Sequence, residues 1–251
     1  MPTEKITIEG SRGQHLSVRL DEPDETTGGY AVFAHCFTCS KNSIAASRVS
    51  KALGARGMGT LRFDFTGIGE SGGDFAQSTF GSDLDDLRRV CDWLSEHRQP
   101  PTLLVGHSLG GAAVLAVAGE IEGVRCVSTI GAPADPEHVS KLFEGDRDTI
   151  EREGSAEVSL GGRPFRITKQ FLDDLSAHDP EQAIAKLDRA LMIFHSPVDS
   201  VVGIDNAATI FKWARHPKSF ISLGHADHLL TDRKDAEFVA ATLAPWVERF
   251  G

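Results

Sequence analysis

The sequence predicts an α/β protein in which a mostly parallel, twisted sheet is covered by helices on both faces. Short runs that are almost continuously apolar, such as YAVFAHC and TLLVGHS, alternate with stretches that have the apolar spacing of helices. Strands that are apolar on both sides are buried on both faces, which is typical of parallel sheets covered by helices. With 251 residues, the chain is long enough for one well-buried core.

The first half of the chain is predicted to contain four strands and two helices. ITIEG and HLSVRL form an antiparallel pair joined by the turn SRGQ. The buried strand YAVFAHC is followed by a helix from about Ser43 to Arg56, which ends where Gly57 and Gly59 interrupt the pattern. TLRFDF is the next strand. The helix after it is indicated by apolar residues at helical spacing: Leu84, Leu87, Val90, Cys91 and Leu94.

The second half continues the alternation. TLLVGHS is a strand, and LGGAAVLAVAGE is the helix directly after it. The later strands are VRCVSTIGAP, ALMIFHS and SFISLG, and the later helices are NAATIFKWA and the stretch from Ala236 to Phe250.

Residues 134–190 interrupt this alternation because they are polar and rich in charge. Within them, AEVSLGGRPFRIT is predicted to form a hairpin that turns at Gly161-Gly162, and PEQAIAKL is predicted to form a helix. No run there is long enough to form a separate domain. We therefore expect one domain over residues 1–251, with residues 134–190 inserted as a cap over one end of the sheet.

Charge and hydropathy argue against several kinds of partner. The formal net charge is −10, and no basic stripe is present, so nucleic acid is not expected as a partner. The most apolar run, AAVLAVAG at residues 112–119, is far shorter than the ~20 residues that a membrane span requires. The start MPTEKITIEG lacks the pattern of a secretion signal. We therefore expect a cytoplasmic protein without a membrane partner, in which Cys91 and Cys126 are core residues.

The stretch GHSLG, residues 106–110, matches the pattern G-x-S-x-G. The pattern alone is weak, because roughly one chain in ten of this length would contain it by chance. Its context is stronger, since it directly follows the strand TLLV and directly precedes a helix. A sharp strand-to-helix turn needs small residues beside the serine and lifts the Ser108 hydroxyl out of the carboxyl edge of the sheet. Ser108 is therefore the candidate nucleophile, and the alternative is an inert serine at a glycine-rich helix start.

A serine hydroxyl requires a base, and the acid–base partners are expected downstream in the order Asp or Glu, then His. Asp199 in FHSPVDSVV and His228 in LGHADHLL each follow a predicted strand, so both lie at the same sheet edge as Ser108. These two residues are the candidate acid and base.

Other residues near these loops are weaker candidates. His225 is the alternative base, and a metal pair of His225 with His228 lacks further ligands at metal-binding spacing. Asp205 is expected to lie near the start of the next helix, where it could cap that helix. Asp227 adjoins the histidine and would have to fold back to orient it. No metal is expected.

Several motifs together resemble one family. HCFTCSK, LRFDFTGIGESGGDF, GHSLGGAAVLA, STIGAP and GGRPF are similar to the hydrolase half of bacterial proteins that fuse an α/β-hydrolase of the serine esterase type to an OsmC-like domain. The resemblance covers essentially the whole chain. It implies an α/β-hydrolase fold and, as a partner, an OsmC-like domain or protein. The sequence ends at Gly251 without a second domain, so we expect either a stand-alone relative or an excised half of such a fusion. In both cases, a role that depends on the OsmC-like partner is not carried over.

The resemblance also suggests a role for the loop HCFTCSK. In α/β-hydrolases the corresponding loop commonly begins His-Gly-X and donates one oxyanion hydrogen bond, while the residue after the nucleophile donates the other. The main-chain N–H groups of Phe37 and Leu109 are the corresponding donors here. Cys36 and Cys39 are then expected to fill space beside the pocket, and a redox switch is the alternative. A zinc site would need two more ligands, and none is suitably spaced. His35 is expected to hold the loop as a structural donor, and a second base is the alternative for this residue.

GIGESG at residues 67–72 matches the dinucleotide pattern G-x-G-x-x-G after a strand. Helical patterning resumes only near Gly81, so the helix N-terminus that would hold a pyrophosphate is missing from its place. No nucleotide and no other cofactor is expected.

The sequence therefore predicts a serine carboxylesterase with a small-molecule ester as its substrate. A small cap favours short or medium acyl chains, with a lining of Phe143, Phe165, Phe171 and Leu172. A thioesterase, a lactonase or a peptidase-like hydrolase would use the same residues. A non-hydrolytic, redox-sensing module that uses Cys36 and Cys39 is the alternative from another class.

Overall fold

The structure is a computed structural model that describes residues 2–250, and an eight-stranded sheet forms its centre. The strands of the whole fold are β1 (Thr3–Glu9), β2 (His15–Asp21), β3 (Tyr30–Ala34), β4 (Gly59–Phe63), β5 (Leu103–His107), β6 (Cys126–Ile130), β7 (Ser155–Leu160), β8 (Arg163–Thr168), β9 (Ala190–His195) and β10 (Lys218–Ser222). The central sheet has the order β1-β2-β4-β3-β5-β6-β9-β10, and β7 pairs with β8 separately.

The sheet is mostly parallel, as the sequence predicts. β1 pairs with β2 and β2 with β4 in antiparallel fashion, whereas all pairs from β4 to β10 are parallel. Parallel strands end at the same edge of a sheet, so the loops after β3, β5, β6, β9 and β10 meet there. The candidate site residues Phe37, Ser108, Asp199 and His228 lie in these loops, and Leu109 is the first residue of the helix that follows β5.

Helices cover both faces of the sheet. They are α1 (Ile44–Gly54), α2 (Phe80–His97), α3 (Leu109–Val117), α4 (Arg147–Glu153), α5 (Lys169–Ser176), α6 (Pro180–Ala185), α7 (Asp205–Trp213) and α8 (Arg233–Phe250). One apolar cluster contains residues of α2, α3 and α7, and the second contains residues of α1 and α8. In β3, Val32 belongs to the first cluster, and its neighbours Ala31 and Phe33 belong to the second. This period of two confirms that the strand is buried on both faces.

Local sequence signals account for several helix starts. The hydroxyl of Ser43 accepts a hydrogen bond from the N–H of Ala46 at the start of α1. Thr79 and Ser82 form a reciprocal capping box at the start of α2. α8 begins at Arg233, three residues before the predicted start, because its first turn is polar and exposed and adds nothing to the apolar pattern.

The segment between β6 and β9 contains the predicted hairpin and more helix than the sequence predicts. β7 and β8 join at Gly161 and Gly162, which adopt φ values of +59° and +76°. A 3₁₀ segment (Pro136–Asp146), α4 and α5 were not predicted, whereas α6 corresponds to PEQAIAKL. α4 buries Ile150 alone, so it lacks the apolar stripe by which a helix is recognised.

Within residues 2–250, none of the helices combines the length and the apolar character needed to cross a membrane.

Candidate active site

Ser108 lies on a sharp turn between β5 and α3. Its φ of +54° and ψ of −124° are strained for a residue with a side chain, and its N–H donates to the Ile130 carbonyl at 3.0 Å. Glycine is required at positions 106 and 110 because neither position has room for a side chain. A Cβ atom on Gly106 would collide with the main chain of Gly110, and one on Gly110 would collide with the carbonyls of Ala34 and His35. This geometry is the one that the pattern G-x-S-x-G predicts.

Asp199 and His228 form a hydrogen-bonded pair across two loops. His228 Nδ1 lies 2.7 Å from Asp199 Oδ2, and the two side chains are 9% and 2% exposed. A carboxylate only accepts hydrogen bonds, so the proton of the neutral imidazole lies on Nδ1 and Nε2 is left as an acceptor. The pair thus has the orientation that a general base requires.

The Asp199 carboxylate is held as an anion. Burial alone would raise its pKa, but hydrogen bonds from His228 and from the main-chain N–H groups of Val201 and Val202 outweigh burial and lower the pKa. The buried ring of His195 steadies the same loop, since its Nε2 lies 2.8 Å from the Val202 carbonyl. Burial lowers the pKa of His195, so this ring is neutral at physiological pH.

His107 and Gly131 connect the serine turn to this pair. His107 Nε2 donates to the main-chain carbonyl of His228 at 2.7 Å, and the two rings lie 5.0 Å apart. A Cβ atom on Gly131, whose φ is +55°, would lie 3.1 Å from Asp199 Oδ2. Glycine therefore lets β6 approach the pair closely. Neither residue is predicted as part of the site from the sequence, although His107 is the variable residue directly before the serine in G-x-S-x-G.

Ser108 and His228 occupy one edge of the sheet without a direct hydrogen bond. Among residues 2–250, no hydrogen bond joins Ser108 Oγ to the imidazole, although the preceding residue bonds the His228 main chain. Hydrogen bonds of this kind are often long in free enzymes and shorten when substrate binds.

The weaker candidates have other environments. Asp205 is the first residue of α7, as expected, although its side chain forms no capping hydrogen bond. Asp227 accepts a hydrogen bond from the Thr231 N–H at 2.8 Å and a second from the Thr231 hydroxyl. His225 is exposed and is not the partner of Asp199. In the described part of the chain, no group of three or more His, Cys, Asp or Glu residues is arranged to hold a metal ion.

The loop after β3, residues 35–43, contains the predicted oxyanion donor Phe37. Within residues 2–250, the main-chain N–H groups of Phe37 and Leu109 take part in no hydrogen bond. Leu109 is the first residue of α3, where N–H groups have no partner inside the helix. His35 holds the start of the loop, because its Nδ1 donates to the Cys36 carbonyl at 2.7 Å and its Nε2 accepts from the Phe65 N–H at 3.4 Å. Burial lowers the pKa of this imidazole, so it is neutral.

Cys36 and Cys39 are joined in a disulfide, whereas the expectation from the sequence is two cysteines that fill space beside the pocket. The chain turns back on itself here, since the Cys39 N–H donates to the Cys36 carbonyl at 3.0 Å. The turn brings the two Cα atoms to 5.2 Å, within the usual range for a disulfide. Cys91 and Cys126 are free and buried, as expected.

The side chain of Phe37 packs into an aromatic cluster that includes residues of the inserted segment. Its ring centroid lies 5.3 Å from that of Phe171, 5.7 Å from that of Phe75 and 6.5 Å from that of Phe143. Phe165 packs against Phe75 instead, at 4.9 Å. Of the four residues predicted to line the cap, Phe143, Phe171 and Leu172 are buried within the main apolar cluster. Phe143 and Phe171 connect the inserted segment to the loop of residues 35–43.

A separate cavity of about 210 Å³ lies between α2, α3 and the inserted segment. Its apolar lining includes Leu84, Ala112, Leu115, Ala183 and Ile184. None of the candidate site residues lines it. Ala112 is one helical turn from Ser108, so the cavity extends along the helix that the serine precedes.

Fold and site together define the class: an α/β protein with a serine on a strained strand-to-helix turn and an Asp–His pair at the same sheet edge. The sequence model of the alpha/beta hydrolase family matches residues 31–250. The chain therefore belongs to the α/β-hydrolase family.

Three similar proteins illustrate the range of that family. Human mitochondrial palmitoyl-protein thioesterase ABHD10 is 31% identical over 226 residues, which cover 87% of this chain and 72% of that protein. The monoacylglycerol lipase of Mycolicibacterium smegmatis is 28% identical over 226 residues, which cover 78% of this chain and 79% of that protein. The crystal structure of the esterase domain from a Rhodothermus marinus protein is 48% identical, covers 100% of this chain and 99% of that chain, and superposes with a TM-score of 0.80.

His107 should make the stability of the protein depend on pH. Burial, followed by the nearby charge of His228, lowers the pKa of His107 to about 3, whereas an unfolded histidine titrates near 6.5. The unfolded state therefore binds a proton first, and stability is lost as pH falls from 6.5 toward 3. Below pH 6, the unfolding free energy of the wild type should fall about 1.4 kcal/mol per pH unit more steeply than that of His107→Gln.

Urea unfolding between pH 4 and pH 7 measures this difference. His107→Gln keeps an amide donor for the His228 carbonyl and removes the titrating ring. His225→Gln removes an exposed histidine from the loop after β10 and is the matched control. Equal pH slopes for the wild type and His107→Gln would contradict the role assigned to this residue.

Proposed function

We propose that the protein is a serine carboxylesterase that hydrolyses short to medium acyl esters through an acyl-enzyme. The observation that carries this proposal is the hydrogen bond from His228 Nδ1 to Asp199 Oδ2, next to a serine on a strained turn. Such a pair leaves the second imidazole nitrogen free to accept a proton from the serine hydroxyl.

In the proposed mechanism, His228 Nε2 takes the proton of Ser108 as the serine oxygen attacks the ester carbonyl. Asp199 keeps His228 in the required tautomer and stabilises the imidazolium. His228 then gives its proton to the departing alcohol, which leaves an acyl-enzyme. Water then attacks the acyl group while His228 takes its proton, and the return of that proton to Ser108 releases the acid.

The tetrahedral intermediate carries a negative charge on the former carbonyl oxygen. The N–H groups of Phe37 and Leu109 are the proposed donors, and their lack of other hydrogen-bond partners within the described residues supports this role. Each such donor is typically worth about 10²- to 10³-fold in rate. The N-terminus of α3 adds a favourable dipole.

We propose that the inserted segment, residues 134–190, acts as the cap. Its support is the packing of Phe143 and Phe171 against Phe37. Aromatic rings that fill the space beside the site leave little room for a long acyl chain, which favours short or medium chains.

Replacing the nucleophile tests the mechanism. Ser108→Ala should lower kcat for p-nitrophenyl acetate by about 10⁴-fold or more, and Asp199→Asn by about 10⁴-fold, because each removes part of one catalytic unit. Steady-state kinetics and labelling with a fluorophosphonate probe measure both effects. Ser176→Ala, an exposed serine on α5, is the control that should keep full activity and labelling. A Ser108→Ala protein that retains wild-type turnover would refute the mechanism.

The relatives favour a thioesterase as the second hydrolytic candidate, since one of them is named as a palmitoyl-protein thioesterase. The cavity along α3 would then hold the long acyl chain. A panel of esters and thioesters with matched acyl chains from two to sixteen carbons separates the candidates. We expect the highest kcat/KM for oxygen esters at or below about eight carbons. A maximum for sixteen-carbon thioesters would replace the esterase proposal with the thioesterase candidate.

A redox-sensing role, without hydrolysis, is the candidate from another class, and the Cys36–Cys39 disulfide favours it. In such a role, a dithiol reductant would supply two electrons and two protons, giving two cysteine thiols and an oxidised dithiol.

If the esterase proposal is correct, Cys36→Ser/Cys39→Ser should keep most of the esterase activity. The wild type treated with dithiothreitol should behave similarly, because the remaining contacts of the loop persist. The double variant treated with dithiothreitol controls for effects of the reductant elsewhere. A wild type that hydrolyses no ester and is not labelled by the fluorophosphonate, but whose Cys36–Cys39 disulfide is reversibly reduced, would instead support the redox role. Complete loss of activity in a double variant with unchanged circular dichroism would contradict the expectation that the two cysteines are dispensable for hydrolysis.

A further inference from the structure

Lys41 carries a buried charge at the far end of the loop that contains Phe37. Its side chain is 1% exposed, and its Nζ lies 2.5 Å from Asp64 Oδ2 and 2.8 Å from Glu70 Oε2. Asp64 is equally buried, whereas Glu70 is 60% exposed. A lysine is almost never buried this completely unless it is paired. The mechanism proposed above makes no use of this ion pair.

The main chain of Lys41 is bound as firmly as its side chain. Its N–H donates to Asp64 Oδ1 at 2.6 Å, and its carbonyl accepts from Arg62 Nη1 at 2.5 Å. Arg62 is itself buried and pairs with Asp21 at 2.6 Å. The two residues that bind the main chain of Lys41 lie in β4 or directly after it: Arg62 in the strand and Asp64 after it. The far end of the loop is therefore attached to the sheet through charged hydrogen bonds.

The near end of the loop is attached by a different contact. The carbonyls of Ala34 and His35 lie so close to Gly110 that a Cβ atom there would collide with them. This contact places the first residues of the loop directly on the first turn of α3. Phe37 lies between the two attachments, and its N–H is directed by the path of the main chain between them.

Asp64 also contacts the glycine-rich segment of residues 67–72, so it links that segment to Lys41. Its Oδ2 accepts the Glu70 N–H at 2.9 Å, and its main-chain carbonyl accepts the Ser71 hydroxyl at 2.6 Å. A Cβ atom on Gly69 would collide with the carboxylate, so glycine at that position permits the approach. Asp64 thus binds the loop of residues 35–43 through its carboxylate and residues 70 and 71 through its carboxylate and its main-chain carbonyl.

A buried ion pair is a weak source of stability, because desolvation offsets most of the attraction. Charged hydrogen bonds are nevertheless short and directional, so they determine position more narrowly than apolar contacts do. We propose that Lys41 and Asp64 are a positioning pair, which fixes the loop of residues 35–43 so that the Phe37 N–H meets the oxyanion. This inference rests on the proposed esterase function.

The test is a double-mutant cycle of Lys41→Met, Asp64→Asn and both together. Each single variant should lower kcat for p-nitrophenyl acetate by about 10- to 100-fold, less than the full loss of an oxyanion donor, with little change in KM. The fall in kcat for the double variant should be no larger than the fall for the more impaired single variant, because each of the three variants removes the same attachment of the loop. The inhibition constant of a trifluoromethyl ketone, which forms a tetrahedral oxyanion with the serine, should rise as kcat/KM falls.

The concentration of active sites is determined by titration with a fluorophosphonate, so that unfolded protein is not counted when kcat is calculated. The double variant leaves no unpaired buried charge, so it tests the proposal even where Lys41→Met does not fold. Leu243→Ala, in the core between α8 and the sheet, destabilises the fold away from the site and should keep its kcat and its inhibitor affinity.

Wild-type kcat and inhibitor affinity in folded Asp64→Asn and in the double variant would overturn the positioning role. A loss of thermal stability without a change in kcat per active site would also contradict the positioning role. If the wild type itself hydrolyses no ester and is not labelled by the fluorophosphonate, the esterase proposal fails instead.

Discussion

The strained turn at Ser108 is the constraint on which the rest of the site depends. A φ of +54° at a serine is tolerated only because β5 and α3 are both held by their packing. The turn is so crowded that residues 106 and 110 have no room for a side chain. The same crowding presses the first turn of α3 against the carbonyls of residues 34 and 35. The position of Ser108 and the position of the loop of residues 35–43 are therefore coupled through main-chain contacts.

Around this turn, the site is assembled from side chains that hold one another rather than from one rigid element. Asp199 is bound by two main-chain N–H groups and by His228, and the main chain of His228 is bound in turn by His107. Neutral, buried imidazoles such as His107 and His195 suit this task, since burial keeps them from taking up a proton. They add directional hydrogen bonds without adding charge beside the Asp–His pair.

Much of the fold and part of the site follow from the sequence. The alternation of apolar runs and helical stripes predicts the parallel sheet, and all eight of its strands lie where that pattern indicates. The choice of Asp199 and His228 follows from residue type, chain order and position after a strand, and the structure brings the two into contact. The disulfide, α4 and α5 do not follow. A Cys-x-x-Cys spacing is compatible with thiols, a metal site or a disulfide. α4 buries Ile150 alone and so lacks an apolar stripe, whereas the stripe of α5 (Phe171, Leu172 and Leu175) spans little more than one helical turn, too short for its period to indicate a helix.

The sequence by itself determined the order of the elements, the sharp turn at Ser108 and the set of residues that could meet at the carboxyl edge of the sheet. These properties are local, because they depend on periodicity, on glycine beside Ser108 and on which residues follow each strand. Only the tertiary structure decided which groups pair. The contacts of His107 with His228, of Lys41 with Asp64 and of Arg62 with Asp21 join residues that are 121, 23 and 41 positions apart. A hydrogen bond acts over about 3 Å, and which distant groups approach that closely is decided by how strands and loops pack in three dimensions.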